Sequence, residues 1–191
     1  KIAIGSNLPE NLVDLDFSVE KNIKLLSEAK NKPIDKITAC ILKRDRHNTI
    51  INSLESMKVK INFIDDGDVM GVLSVANIKS NVDIYLGTGG APEGVLAAAA
   101  LSCMGCQMQT RILFKKKAEI ERAKKFNITN LNKKYSISDM VKNDVIFCAT
   151  AVTDSDSIKG IVDSGDYFKA ETIVLHKSSN TNEILKNKIK K

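Results

Sequence analysis

Apolar positions along this chain come in short runs separated by polar segments, several of which contain glycine. Residues 1–4 form the first run and read as a strand. Within residues 14–30, Val19, Ile23, Leu25 and Leu26 share one side at helical spacing, and Ser18 stands where an N-cap belongs. Pro33 interrupts. Residues 36–42 predict a buried strand, and residues 49–57 a helix with Ile50, Ile51 and Leu54 as its stripe. Residues 59–64 alternate as a strand, which ends in Asp65-Asp66-Gly67-Asp68 and leads into a helix over 69–78. Residues 82–86 are apolar at four of five positions and predict another buried strand. The segment Gly87-Thr88-Gly89-Gly90-Ala91-Pro92-Glu93-Gly94 then breaks it and opens an alanine-rich helix that runs to Leu101. Downstream, a charged helix is expected over 118–126, a helical turn over 138–141 and a buried strand over 144–151. Further strands, antiparallel at the sheet edge, are expected at 160–162 and 171–176.

Three strand–loop–helix units therefore follow one another, which predicts an α/β fold. In open α/β sheets ligands gather beyond the carboxyl ends of the strands. The loop with Arg44 and Arg46, the Asp66-Gly67-Asp68 turn and the glycine loop would all lie on that edge. No internal repeat or domain boundary stands out, so residues 1–191 are taken as one unit.

Composition changes this picture little. Of 191 residues, 43% are hydrophobic and 27% charged, ordinary for a globular protein. The longest apolar stretch, 95–104, is too short and too interrupted to cross a bilayer, so no membrane association is expected. Four cysteines without a secretion signal predict reduced thiols and a cytoplasmic location. The chain begins with lysine inside an expected strand, which predicts further residues upstream. The formal charge of +6 comes mainly from scattered lysines with few aromatics nearby, so nucleic acid is not an expected partner. The run 115–117 opens a charged helix, and residues 186–191 read as a frayed, solvated end.

The candidate chemistry is that of an anion site. Two of only four arginines stand together in Lys43-Arg44-Asp45-Arg46-His47, and guanidinium forks grip phosphate oxygens as ammonium groups cannot. The glycine loop and the following helix start present free N–H groups and a positive dipole end. Glu93 in the first turn is either a helix-end charge or a ligand for a divalent cation. Asp66 and Asp68 either shape a turn and cap the next helix or contact sugar hydroxyls or a metal. His47 is open to three roles: surface residue, phosphate donor or base. His176, with no acidic neighbour in sequence, reads as structural. Cys103 and Cys106 form a C-x-x-C without a second half, which favours buried, inert thiols over zinc or redox chemistry, as for Cys40 and Cys148. Asp154-Ser155-Asp156 reads equally well as a turn or a site loop.

Taken in order and spacing, Ile41-Leu42-Lys43-Arg44-Asp45-Arg46-His47, Asp66-Gly67-Asp68-Val69 and the Gly-Thr-Gly-Gly-Ala-Pro-Glu-Gly segment resemble class II fructose-1,6-bisphosphatases, the GlpX type. Asp144-Val145-Ile146-Phe147-Cys148-Ala149-Thr150 resembles that family's late strand. The resemblance covers essentially the whole chain and places it in the C-terminal portion of such an enzyme. It implies a layered α-β-α-β-α sandwich of the lithium-sensitive sugar and inositol phosphatase type. It also implies removal of the 1-phosphate of fructose 1,6-bisphosphate in gluconeogenesis, with Mn2+ or Mg2+ as cofactor and a homo-oligomer as the assembly. By the same resemblance Glu93 is a metal ligand, and Arg44, Asp45, Arg46, Asp66, Gly67, Asp68 and Gly90 contact substrate. Arg44 stands where the family usually has Lys, and Asp45 where it usually has Pro. The family's other metal carboxylates would lie upstream, so these residues alone are expected to be inactive. Sedoheptulose 1,7-bisphosphate hydrolysis and a non-catalytic phosphosugar-binding module are the alternatives. A nucleotide-binding domain fits less well, because the glycine spacing does not match G-x-G-x-x-G.

Overall fold

The computed structural model describes residues 1–76, 80–155 and 158–191. Ile78, in the helix expected over 69–78, and Asp156 of the Asp154-Ser155-Asp156 turn lie outside them. The elements run β1 (Ile2–Ile4), α1 (Val19–Ala29), β2 (Thr38–Leu42), α2 (Asn48–Ser56), β3 (Lys60–Ile64), α3 (Asp68–Leu73), β4 (Ile84–Leu86) and α4 (Ala91–Cys103). There follow β5 (Gln107–Arg111), α5 (Lys117–Lys125), β6 (Lys134–Ser136), α6 (Ile137–Met140), β7 (Ile146–Thr150), β8 (Val162–Ser164), β9 (Tyr167–His176) and β10 (Thr181–Lys190).

The first sheet is six-stranded and mixed, in the order β3-β2-β4-β1-β5-β6. Strands β2, β3 and β4 are mutually parallel, so their carboxyl ends lie side by side. Strand β1 runs antiparallel to both β4 and β5, which brings Lys1 and the end of β5 to that same edge. The apolar runs are continuous because both faces of this sheet are covered. Ile2, Ile4, Ala39, Ile84 and Leu86 pack on one face with Ile23, Leu26 and Leu54 of α1 and α2. Ala3, Cys40, Tyr85 and Met108 alternate to the other face and meet Val72, Ala97, Ala98 and Leu101 of α3 and α4.

The late strands do not extend this sheet. They form a second, antiparallel one in the order β10-β9-β7, with β8 paired to β9. Phe147, Ile173 and Leu175 on its inner face pack with Leu73 of α3 and Ala100 of α4. Helix α4 is thus held between two sheets, and its alanines let both approach. The succession is helices, sheet, helices, sheet, and the outer face of the second sheet leaves Ile146, Cys148 and Thr150 exposed.

Further expectations are corrected here. Strand β7 is half-exposed rather than buried: Ile146 is open to solvent, and Cys148 is an exposed thiol. The lysine-rich tail is not frayed. Residues 181–190 pair with β9 along their whole length, although their side chains stay solvated. Strand β5 was not expected, because Gln107 and Gln109 hide its apolar period. Gln107 donates from Nε2 to the carbonyls of Leu8 and Pro9 at 2.9 and 3.0 Å, and Gln109 accepts from Leu15 N at 3.1 Å.

Nor is His176 without an acidic partner. Its Nε2 lies 2.8 Å from Asp144 Oδ2, and Asp144 also accepts from the Ser178 hydroxyl at 2.8 Å and the Ser178 amide at 3.0 Å. The cluster closes the β9–β10 hairpin onto the segment that leads into β7. The His176 and Ser178 hydrogen bonds hold the Asp144 carboxyl down at about 2. A depressed folded value gives stability that is complete above the ordinary aspartate value of about 4 and is lost as pH falls through the folded one. Asp144→Asn is therefore expected to lower the urea midpoint near neutral pH, with the difference vanishing as pH approaches about 2. A difference independent of pH would show that the carboxylate charge is not what holds the hairpin.

Candidate functional site

The site is built where β4 ends. Tyr85, its central residue, is fully buried, and its hydroxyl donates to Asp68 Oδ1. Burial first, and the Asp68 carboxylate beside it, hold this phenol well above its ordinary range, so Tyr85 remains a donor. Lys1 Nζ is paired with Asp68 Oδ2, and both side chains are almost entirely enclosed. Asp68 therefore neither caps α3 nor faces solvent. It stands at the first position of α3, behind Gly67 in the left-handed conformation, and turns back under the glycine loop. A Cβ on Gly89 would fall on the Asp68 carboxylate and crowd Lys1 Nζ. That contact explains why position 89 is glycine.

His47 and Arg46 reach the loop from the end of β2. His47 is completely buried, with Nδ1 2.8 Å from Leu42 O and Nε2 accepting from the Thr88 amide at 2.9 Å. Arg46 donates to Thr88 O from Nε at 3.1 Å and Nη2 at 2.8 Å. At the start of α4, Glu93 Oε2 accepts from the Gly90 amide at 2.6 Å. This is half of a capping box and satisfies an N–H that the helix cannot. It also leaves the Glu93 side chain on an exposed turn.

A cavity of about 720 Å³ opens over this loop, lined by Lys1, Arg46, Thr88 to Ala91, Arg111 and Lys115 at its polar end and by Val95, Leu113, Ile128 and Tyr135 beyond. Arg111 is held by Asp16 at 2.6 Å. Among the described residues, Arg46 and Lys115 have no carboxylate partner.

The residues singled out in the sequence are only partly brought together. Arg46 and Gly90 line this cavity, Glu93 touches Gly90, and Asp68 lies beneath Gly89. Asp66 and Gly67 line a separate cavity of about 500 Å³ between α3 and the end of β7. Arg44 turns away to the carbonyls of Lys43 and Asp65, joining the ends of β2 and β3. Asp45 is exposed in the short turn Asp45–His47 and lines neither cavity.

Among the described residues no three His, Cys, Asp or Glu side chains are grouped to hold a metal ion. Glu93 offers a single carboxylate, and hard divalent cations need about six oxygen ligands. The C-x-x-C does not supply a site either. Burial pushes the Cys103 thiol up and that of Cys106 to about 11, as expected for unreactive thiols.

The sequence profile of the bacterial, glpX-encoded fructose-1,6-bisphosphatases matches residues 1–189. The chain belongs to that family. It is 31% identical to the fructose-1,6-bisphosphatase class 2 of Haemophilus influenzae over 95% of this chain and 58% of the relative. It is 32% identical to the D-fructose 1,6-bisphosphatase class 2/sedoheptulose 1,7-bisphosphatase of Gloeobacter violaceus, over 88% of this chain and 53% of the relative. A protein of the same description from Thermosynechococcus vestitus is 29% identical over 88% of this chain. The chain thus spans between half and three-fifths of the length of these relatives.

Sequence reasoning missed four residues that line or support this cavity. Lys1 and Tyr85 were read only as strand residues, and Arg111 and Lys115 were not considered for the cavity. A cation at Lys1 within an apolar strand was the available signal. Arg46 is expected to matter through the loop as well as through its charge. Arg46→Ala in the full-length protein should raise the apparent substrate constant about tenfold, with less effect on turnover. An unchanged constant in steady-state phosphate release would remove Arg46 from the site.

Proposed function

We propose that the chain forms the phosphate-binding part of a metal-dependent sugar-bisphosphate phosphatase that removes the 1-phosphate of fructose 1,6-bisphosphate. One observation carries this reading: the cavity at the carboxyl edge joins a glycine loop, a helix start and two cations, Arg46 and Lys115, whose side chains form no ion pair among the described residues. An apolar or neutral ligand would not need them, whereas a phosphate dianion would. Family membership supports the choice of a sugar bisphosphate. Sedoheptulose 1,7-bisphosphate is a second reading, favoured by the double description of the Gloeobacter relative.

Glu93 is the proposed metal ligand, one among several that a divalent ion would require, with Mn2+ or Mg2+ as candidates. Such an ion supplies charge neutralisation and an activated water. The chain's own residues bind and orient the phosphate. Arg44, Asp45, Asp66 and Gly67 are kept as substrate contacts on the resemblance alone. The lithium-sensitive phosphatase type is supported by the alternation of helical and sheet layers. Gluconeogenesis and a homo-oligomer follow from the resemblance only, and a cytoplasmic setting rests on the cysteine usage.

The test offers a full-length protein fructose and sedoheptulose bisphosphates with and without Mn2+. Metal-dependent phosphate release is expected, and metal-independent binding without release would instead identify a phosphosugar-binding module. The 191-residue chain by itself is expected to release no phosphate. Release by it would sink the idea that Glu93 depends on further ligands.

A further inference from the structure

The backbone of the glycine loop can be accounted for group by group. Gly87 exchanges both of its hydrogen bonds with Lys1: its N–H donates to Lys1 O at 3.1 Å, and its carbonyl accepts from the Lys1 nitrogen at 2.8 Å. Thr88 gives its N–H to His47 and its carbonyl to Arg46. Gly90 gives its N–H to Glu93, and its carbonyl accepts from Gly94 N at 3.2 Å. Gly89 remains. Its N–H meets no acceptor among the described residues, and with the first-turn amides of Ala91 and Glu93 it is a donor left for a ligand.

His47 fixes where that donor points. A carbonyl only accepts, so the nitrogen facing Leu42 O carries the proton. A backbone N–H only donates, so the nitrogen facing Thr88 carries none. Both bonds exist together only in the neutral imidazole protonated at Nδ1. Leu42 ends β2, and Thr88 follows β4, so one rigid ring spans the two adjacent strand ends that frame the cavity. With its N–H held by His47 and its carbonyl by Arg46, Thr88 cannot rotate. In a trans peptide the next N–H lies opposite the carbonyl. The direction of the Gly89 N–H, which lines the cavity, is thereby fixed before any ligand arrives.

We propose that His47 is a positioning residue for phosphate binding, acting through the Thr88 peptide to hold the Gly89 N–H ready for the anion. The proposal rests on the reading above that this loop takes a phosphate. It also accounts for histidine here. The position requires an acceptor and a donor about one ring apart, with no charge, in a site with no exposure to solvent. A carboxylate cannot donate, and lysine or arginine cannot accept.

Two substitutions in the full-length protein separate the ring's two bonds. In His47→Asn the amide nitrogen occupies the place of Nδ1 and keeps the bond to Leu42 O, but nothing reaches Thr88. In His47→Gln the amide oxygen reaches the place of Nε2 and keeps the bond to Thr88. The dissociation constant for inorganic phosphate and the KM for the bisphosphate are expected to rise about tenfold in the Asn variant, with kcat changed much less. Gln is expected to recover most of this loss, to about threefold. Equal weakening in both, or a greater loss in Gln, overturns the proposal and leaves His47 a packing residue.

Because substitution of a buried histidine can unfold the protein, the wild-type protein supplies a second measurement. Long-range nitrogen–proton correlation is expected to show His47 protonated at Nδ1 and bare at Nε2. The opposite tautomer overturns the proposal without any variant. If inorganic phosphate leaves the Gly89 and Gly90 amide signals unmoved in the wild type, the loop is not a phosphate site, and the functional reading falls together with the proposal.

Discussion

Replacing Glu93 by Gln in a full-length protein is expected to reduce metal-dependent phosphate release by about a thousandfold or more while the fold survives. The two halves of this expectation have separate causes. The structure gives Glu93 one defined task, accepting the Gly90 amide at 2.6 Å. A glutamine oxygen does the same, so only the interaction of a charge with the exposed helix end is lost, about 0.5 kcal/mol. A metal ligand is different, because a neutral amide oxygen is a poor substitute for a carboxylate at a hard cation. Thermal unfolding and phosphate release measured on the same preparation distinguish the cases. Near-normal turnover with an unchanged midpoint would return Glu93 to a helix cap and nothing more.

Gly89→Ala is expected to have the larger effect on the fold. The added methyl would need the space of the Asp68 carboxylate. That carboxylate cannot easily yield, since it is enclosed with Lys1 Nζ and accepts from the buried Tyr85 hydroxyl. Moving it leaves a buried ammonium without its partner, a loss of about 3 kcal/mol or more. Moving the loop instead breaks the His47 and Arg46 bonds to Thr88 and with them the anion site. Urea unfolding should show the destabilisation, and phosphate titration should show the lost affinity. Gly94→Ala, five residues on, is the contrast. A Cβ there meets only ordinary contacts, at 3.8 Å to Lys1 and 3.9 Å to Thr110. It should be neutral or stabilising by about 0.5 kcal/mol, as alanine is in a helix. Equal stability of the Gly89→Ala variant would mean that Asp68 is free to swing out, contrary to its enclosure.

These variants mark how far the sequence can be read. Strands β2 and β4 were legible because burial on both faces leaves an uninterrupted apolar run, and α4 because alanines follow a proline near the start. Strand β5 was illegible because its glutamines anchor distant loops, and a polar residue gives no sign in sequence that its partners lie about a hundred positions away. Strand β10 carries almost no apolar signal, and its backbone pairing with β9 makes it a strand. The carboxyl edge was legible as a place, since three strand–loop–helix units in succession leave few other topologies. Its contents were not. Whether Asp68 faces a ligand or a lysine, and whether Asp66 shares its cavity, depends on side-chain direction, which spacing does not reveal. His47 shows the limit most plainly. Two arginines stand close to it in sequence, yet its partners are two backbone groups at the ends of different strands.

The ten-residue strand β10 has one further consequence. Among the described residues it ends its sheet and pairs with β9 alone, which leaves its other row of backbone donors and acceptors without a strand partner. Such a row invites a second chain to add itself, strand upon strand, and is a common seed of aggregation. Lys186, Lys188, Lys190 and Lys191 crowd this segment with like charges, which any incoming copy would have to match against its own. Among the described residues, then, the lysines of this strand would oppose the pairing of a second copy along its unpartnered side.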